Sequence, residues 1–403
     1  MQSRKQQALA IAFSFLGAIS LIIGLFFSSF LLSAGTVLLT FPTFLNWKKK
    51  YTPIVFLLSV PFLSVLFSSL IQNALNYNYL LLKFSFVLFA LFACRKHELE
   101  YSLARWIYLL LILVVTSINI SSIINYLYHF EQINNSLLRS KSIPILAKIE
   151  HIYFGLISCS VSLSLFYFLF LNQKQQFLLN RKTLSIFFVI NILSIHILSS
   201  RTGLVVLYVG LASMLLTYLI KRPNKIVKRS ILALILLPIL SFFVLPSFQN
   251  KMYNSIEDLD SLINRKDINH KSMAQRVESW RAAYWCISKK PIRGYTKVEE
   301  REVMAKGYQG SKSKLFVQNR LDIHTQYLAE PFFRGAFGLI LFIFFVVYWF
   351  SLLSKSPLAI ANLIGLSFSM VLEPLLERQL GFVIFLYLPL LLWRIENVEY
   401  END

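Results

Sequence analysis

The sequence predicts an all-α integral membrane protein of about twelve transmembrane helices, with one large external helical loop between spans nine and ten. Three observations carry this. The chain is 56% hydrophobic and only 15% charged, with a mean hydropathy of +0.60, well outside the range of soluble domains. Uncharged runs recur at about the 20-residue length that crosses a bilayer. Basic residues fall in short clusters between those runs, in alternate loops. The net charge of +20 is therefore read as setting span orientation, and nucleic acid is rejected as a partner.

In chain order, residues 9–27 and 31–45 form a hairpin about Ser28-Ser29. Spans at 53–71, 79–94 and 104–124 follow. After a polar stretch come 151–171, 184–199, 203–220 and 231–245. The last three spans lie near 325–350, 358–371 and 380–393. The start, Met1-Gln2-Ser3-Arg4-Lys5 and an apolar run, imitates a signal peptide. A second apolar run follows directly and no A-x-A-like site comes after the first, so an uncleaved span is expected.

Positive charge orients the bundle. Arg4 and Lys5 precede the first span, and Lys48-Lys49-Lys50 separate the second from the third. Arg95, Lys96 and Arg105, then Lys174, Arg181 and Lys182, mark later alternate loops. Lys221, Arg222, Lys225, Lys228 and Arg229, and finally Lys355, continue the series. These loops and both termini are expected in the cytoplasm. The segment after span nine then falls outside, since long translocated loops escape the charge rule. The chain divides into a membrane bundle of residues 1–245, a periplasmic loop domain at 246–323, three closing spans within 324–394, and a cytoplasmic tail at 395–403.

Within the loop, Met252, Ile256, Leu259 and Ile263 recur at helical spacing, predicting an amphipathic helix on the bundle or in the interface. A second helix is predicted over 272–288, stopped before Pro291. A short one over 299–306 should end at Gly307, with 307–313 as loop. No internal repeat is evident, which weighs against a transporter. Cys94, Cys159 and Cys286 are an odd number with no close pair, and Cys94 and Cys286 are placed on opposite sides, so no disulfide framework is expected.

Arg201, in Ser199-Ser200-Arg201-Thr202-Gly203-Leu204 between spans seven and eight, stands in a class of short loops nearly free of basic residues. It is read as an anion site rather than a snorkelling surface residue, with Gly203 allowing close backbone approach. On the second loop helix, Arg276, Trp280, Ala283 and Ile287 share a face, making Arg276 a ligand candidate. Arg281 points elsewhere, three residues from Glu278, as a solvated ion pair. His324 enters the next apolar run at the level of a lipid head group, where it suits a general base on a hydroxyl. A histidine there is as readily an interfacial residue without a role.

Lys83, His196, Glu330, Arg334, Glu373, Glu377 and Arg378 lie in or near spans and rank second, with Glu330 and Arg334 a natural i,i+4 pair. Asp258-Leu259-Asp260 has the form of a nucleotide-sugar DxD, but one such triplet is common by chance and is read as a solvated helix face. There is no P-loop, nucleophile elbow or HExxH, and no metal site can be assembled from the spacing.

With these residues in place, the chain resembles the bacterial O-antigen ligase and O-antigen polymerase superfamily. Ser200-Arg201-Thr202-Gly203-Leu204 is similar to that family's Ser-Arg-x-Gly-x-Leu. Arg276 with Trp280, then Pro291 and Gly294, is similar to its loop helix and the turn beyond. His324-Thr325-Gln326-Tyr327-Leu328, with Gly335 and Gly338, is similar to its His-Asn-x-x-Leu element. Thr325 stands where the family has Asn, Pro331 is expected to kink the following span, and Gly294 lacks a second glycine after it.

The resemblance implies a glycosyltransferase using undecaprenyl diphosphate-linked glycan at the periplasmic face of the bacterial inner membrane, without metal or other cofactor. Arg201 and Arg276 would bind the diphosphate and His324 would be the base. Arg281, Tyr327, Glu330, Arg334 and Arg378 would support them from behind. The acceptor would be lipid A–core in a ligase, which the basic loop favours, or another lipid-linked repeat unit in a polymerase. A transporter or flippase of polyisoprenoid glycans is the reading from a different class.

Overall fold

The structure is a computed structural model that describes residues 4–45, 48, 51–94, 101–138, 141–172, 179–221, 223–264 and 266–396. Lys49, Lys50, Arg95, Lys96, Lys174, Arg222 and the tail from residue 397 lie outside the described residues, as do the side chains of Arg4 and Lys5. All regular elements among the described residues are helical. Nine of these helices are long and apolar enough to cross a membrane, and three shorter apolar helices accompany them. The protein is an all-α integral membrane protein.

Helices α1 (Arg4–Phe27) and α2 (Ser29–Leu45) fold back on each other, as the hairpin reading requires. After α3 (Tyr51–Ile71), the span expected at 79–94 is the apolar helix Tyr77–Ala93, interrupted at Phe84 into α4 (Tyr77–Lys83) and α5 (Ser85–Ala93). The interruption follows Lys83, whose ammonium turns into the protein and donates to Leu376 O and Glu377 Oε1, both at 2.6 Å. The long α6 (Tyr101–Tyr128) leads into the short α7 (Phe130–Leu137).

Helix α8 (His151–Phe166) is the centre of the bundle: every side chain from Tyr153 to Phe166 is buried. It continues through a π turn at Tyr167–Leu171. Polar side chains tie it and its neighbours where lipid offers no hydrogen bonds. Asn119 of α6 donates to Asn191 of α9 (Arg181–Leu198) at 2.8 Å, and Asn191 donates to Thr116 at 2.8 Å.

Helices α10 (Arg201–Lys221) and α11 (Lys225–Val244) complete the first part of the bundle. The polar segment then forms α12 (Pro246–Ile263), α13 (Ser272–Lys289) and α14 (Glu300–Gly310). Helix α12 is amphipathic in the inverted sense. Met252, Ile256, Leu259 and Ile263 are exposed, whereas Asn254, Asp258 and Ser261 are buried. An apolar face turned outward suits a helix lying in the membrane interface. Helix α14 does not stop at Gly307: it runs on to Gly310, because Gly307 backs onto Ala282 of α13 and that packing holds the next turn in place.

Helix α15 (Gln326–Leu353) contains the predicted kink, but not at Pro331. The chain leaves helical geometry at Gly335, with φ 64° and ψ −167°. The cause is the segment after α13. Tyr295 N–H donates to Phe332 O at 2.7 Å and Ala336 N–H to Pro291 O at 2.8 Å, so residues 291–295 dock into the broken helix. Gly294 faces Gly335 with φ 66°. A Cβ on Gly335 would meet Ile292 O at 1.9 Å, and one on Gly294 would meet Phe332 O at 2.6 Å. Both sites need a residue that accepts positive φ and has no side chain.

The chain closes with α16 (Pro357–Leu372), α17 (Gln379–Phe382) and α18 (Leu388–Glu396), the last two joined by a π turn at Val383–Tyr387. The segment 246–323 caps the end of the bundle where α8, α10 and α15 begin and α9 and α16 finish.

Candidate functional site

The α9–α10 junction turns on Ser199, which takes a left-handed conformation at φ 49°. Its hydroxyl donates to His196 O at 2.5 Å, holding the turn. Arg201 then becomes the first residue of α10. The close approach that Gly203 permits is to Gly155 of α8, not to a ligand.

The Arg201 guanidinium reaches into the loop domain. Nη1 donates to Asp258 Oδ2 at 3.2 Å and to Ser272 Oγ at 3.0 Å. Asp258 also accepts from Met273 N–H at 3.1 Å, satisfying one of the open amides at the start of α13. The solvated-face reading of Asp258 is thus overturned: it is 1% exposed, because α12 turns its polar side inward. Asp260 does lie on a solvated face, paired with Lys266 at 2.6 Å.

One turn into α13, Arg276 Nη2 donates to Glu373 Oε1 at 2.6 Å. The other oxygen of Glu373 lies 3.2 Å from His324 Nε2. Burial pushes the Glu373 carboxyl up, but the His324 hydrogen bond and the Arg276 guanidinium outweigh it and hold it below the usual carboxylate value. Glu373 is therefore an anion at neutral pH.

His324 is not helical; it precedes α15 on a tightly held strand of loop. Trp280 Nε1 donates to His324 O at 3.2 Å, and Ser279 Oγ to Asp322 O at 2.8 Å. Thr325 donates to Met370 O at 3.0 Å. Helix α13 and the end of α16 thereby hold the chain around His324 from both sides.

Arg201 and Arg276 line one cavity of about 470 Å³. His151, Lys251 and Ser272 line it with them. The Nε atoms of both arginines are buried without a partner among the described residues. Lys251, on the inward face of α12, donates to Lys141 O at 2.5 Å. Burial, and then the neighbouring Arg201, lower its pKa to about 8. His324 does not line this cavity; Glu373 joins it to Arg276.

Other predicted residues lie elsewhere. Arg281 is exposed and paired with Glu278 at 2.8 Å. Tyr327 donates to Ser367 O at 3.0 Å within the bundle. His196 is a satisfied core residue, with Tyr208 Oη 2.6 Å from Nε2. Arg378 pairs with Glu150 at an exposed site. Glu330 and Arg334 form the expected i,i+4 pair, buried beside a second charged cluster of Lys83, Glu377, Lys297 and Glu300. There, burial raises the Glu377 carboxyl, but Lys83 and Lys297 bring it below the usual value.

Lys251 and His151 went unnoticed in the sequence, and Glu373 was only second-ranked. The signal for Lys251 was present: it lies seven residues before Asp258, on the same side of the helix and off the stripe of Met252, Ile256, Leu259 and Ile263. Nothing in the sequence marked His151.

Among curated proteins none matches this chain. Residues 186–343, from within α9 to within α15, match the family model described as O-Antigen ligase. That stretch contains Arg201, Arg276 and His324. Over that stretch the chain is similar to O-antigen ligases, a likeness that supports the O-antigen ligase/polymerase superfamily and, with it, a membrane enzyme of glycosyltransferase type acting on lipid-linked glycans.

Proposed function

We propose that this protein is an O-antigen ligase-type transferase. It moves a glycan from undecaprenyl diphosphate to a sugar hydroxyl of lipid A–core, at the periplasmic face of the bacterial inner membrane. The observation that carries the reading is the Arg276–Glu373–His324 relay beside a cavity shared by Arg276 and Arg201.

His324 gives its Nε2 hydrogen to Glu373, which leaves the Nδ1 lone pair for the acceptor. The acceptor hydroxyl loses its proton to Nδ1 as its oxygen attacks the anomeric carbon on the face opposite the diphosphate. The bond from that carbon to the diphosphate oxygen breaks, and the electron pair leaves on the phosphate. Arg201 and Arg276 hold the charge that develops there, in the role of fixed cations. Attack from the opposite face inverts the anomeric centre.

A second cleft, of about 1090 Å³, lies between residues 71–75 and 290–299, with Lys290 and Arg293 in its lining. It sits at the end of α13 away from Arg276 and supports a large phosphorylated acceptor.

The test is reconstitution of the purified protein with lipid-linked glycan and, in parallel, lipid A–core or a second lipid-linked repeat unit. Product on lipid A–core, lost in His324→Ala with folding retained, is the expected result. Product only on the repeat unit makes the enzyme a polymerase. Transport of the lipid-linked glycan without product makes it a flippase.

A further inference from the structure

The two arginines of the cavity are already matched by carboxylates: Arg201 by Asp258 and Arg276 by Glu373. Lys251 is different. Among the described residues its ammonium has no carboxylate within ion-pair distance, and it rests on a neutral acceptor, Lys141 O. It is half-buried, lines the same cavity, and lies within electrostatic reach of Arg201 and Asp258.

His151, the first residue of α8, lines the cavity too. It lies within electrostatic reach of Lys251, Glu373, Glu150 and Arg276. His151 therefore lies near both Lys251 and Arg276. Helix α12 supplies Lys251 from its inward polar face while its apolar face points outward. A head group carried by a membrane lipid meets that helix at the depth where such a lipid's phosphates lie.

We propose that Lys251 and His151 form a second phosphate subsite, so that the cavity grips both phosphates of a lipid diphosphate and discriminates against a monophosphate. This rests on the diphosphate reading of the cavity given above. Arg201 and Arg276 bind one phosphate through the guanidinium groups that line the cavity. Lys251 gives the other phosphate a charge-assisted hydrogen bond, and His151 adds a ring N–H. The subsite separates donor from spent carrier once the terminal phosphate of that carrier has been removed.

The test uses full-length purified protein in nanodiscs and two probes: a prenyl diphosphate and the prenyl monophosphate of the same chain length. Wild type should prefer the diphosphate. Lys251→Gln and His151→Gln should each weaken diphosphate binding about tenfold, the scale of one charge-assisted hydrogen bond, and leave the monophosphate within about twofold. Lys251→Arg should restore the preference, which a merely misfolded variant would not allow. Equal weakening of both probes, or no change with either, overturns the subsite while leaving the arginine site standing. If wild type binds neither probe, the diphosphate reading and this subsite fall together.

Discussion

Glu373 stands 3.2 Å from His324, and this contact orients the imidazole instead of leaving it a loose interfacial side chain. The carboxylate is 5% exposed and also holds Arg276, so one anion positions an imidazole and a guanidinium together. The three groups come from three elements that sequence separates by up to about a hundred residues: α13, the loop before α15, and the end of α16.

The first prediction concerns that relay. His324→Ala should lower kcat by about 10²–10⁴-fold, the scale of general-base catalysis. Glu373→Gln should lower it by about 10–100-fold, the scale of an orienting partner. In the His324→Ala background Glu373→Gln should have little further effect on kcat, because the two act as one unit. Additive losses, measured with labelled donor on folded protein, would place Glu373 outside the relay.

A second prediction concerns Arg201 and Asp258. Arg201→Met strands a carboxylate that is 1% exposed. The expected cost is about 3–5 kcal/mol of stability, read as a lowered melting temperature in detergent. Asp258→Asn keeps an acceptor for Met273 N–H and should cost on the order of 1–2 kcal/mol. Equal costs would show that the pair contributes no specific interaction.

The pH dependence follows from Lys251, whose pKa is lowered to about 8 from an ordinary 10.5 by burial and by Arg201. It faces Arg201, Asp258, His151 and the Lys141 carbonyl. As pH rises through about 8 the cavity loses this positive charge, and kcat/KM for the anionic donor should fall. Lys251→Arg should shift that basic limb upward. The stability effect has the opposite sign. The folded state binds this proton less tightly than the unfolded chain, so the contribution of Lys251 to stability rises between about pH 8 and 10.5. A basic limb that is the same in Lys251→Arg would assign it to another group.

The fourth prediction tests the broken helix. Gly335→Ala places a Cβ 1.9 Å from Ile292 O at a positive φ. It should destabilise the protein by about 3 kcal/mol or more, seen as a lower yield of folded protein and a lower melting temperature. Pro331→Ala should cost less, because the kink is held at Gly335. The reverse order would return the kink to the proline.

Much of this architecture was legible in one dimension. Lipid demands long apolar runs, so the helical class, the span series and the polar segment after residue 245 could be read directly. Helical spacing likewise anticipated α13, the apolar stripe of α12, the Arg281–Glu278 pair and the Glu330–Arg334 pair. Arg201, Arg276 and His324 stood out because charge is scarce around them, or because they fell within a motif.

Which of these charges face one another was decided only in three dimensions. Asp258 read as a surface residue because its triplet is polar, yet α12 presents its polar side to the protein and its apolar side outward. Glu373 and His151 carry no local signature, Lys251 is marked only by sharing a side of α12 with Asp258, and the partners of all three lie on elements distant in the chain. Ion pairing and cavity shape depend on distances across the packed bundle, which periodicity along a single helix does not encode.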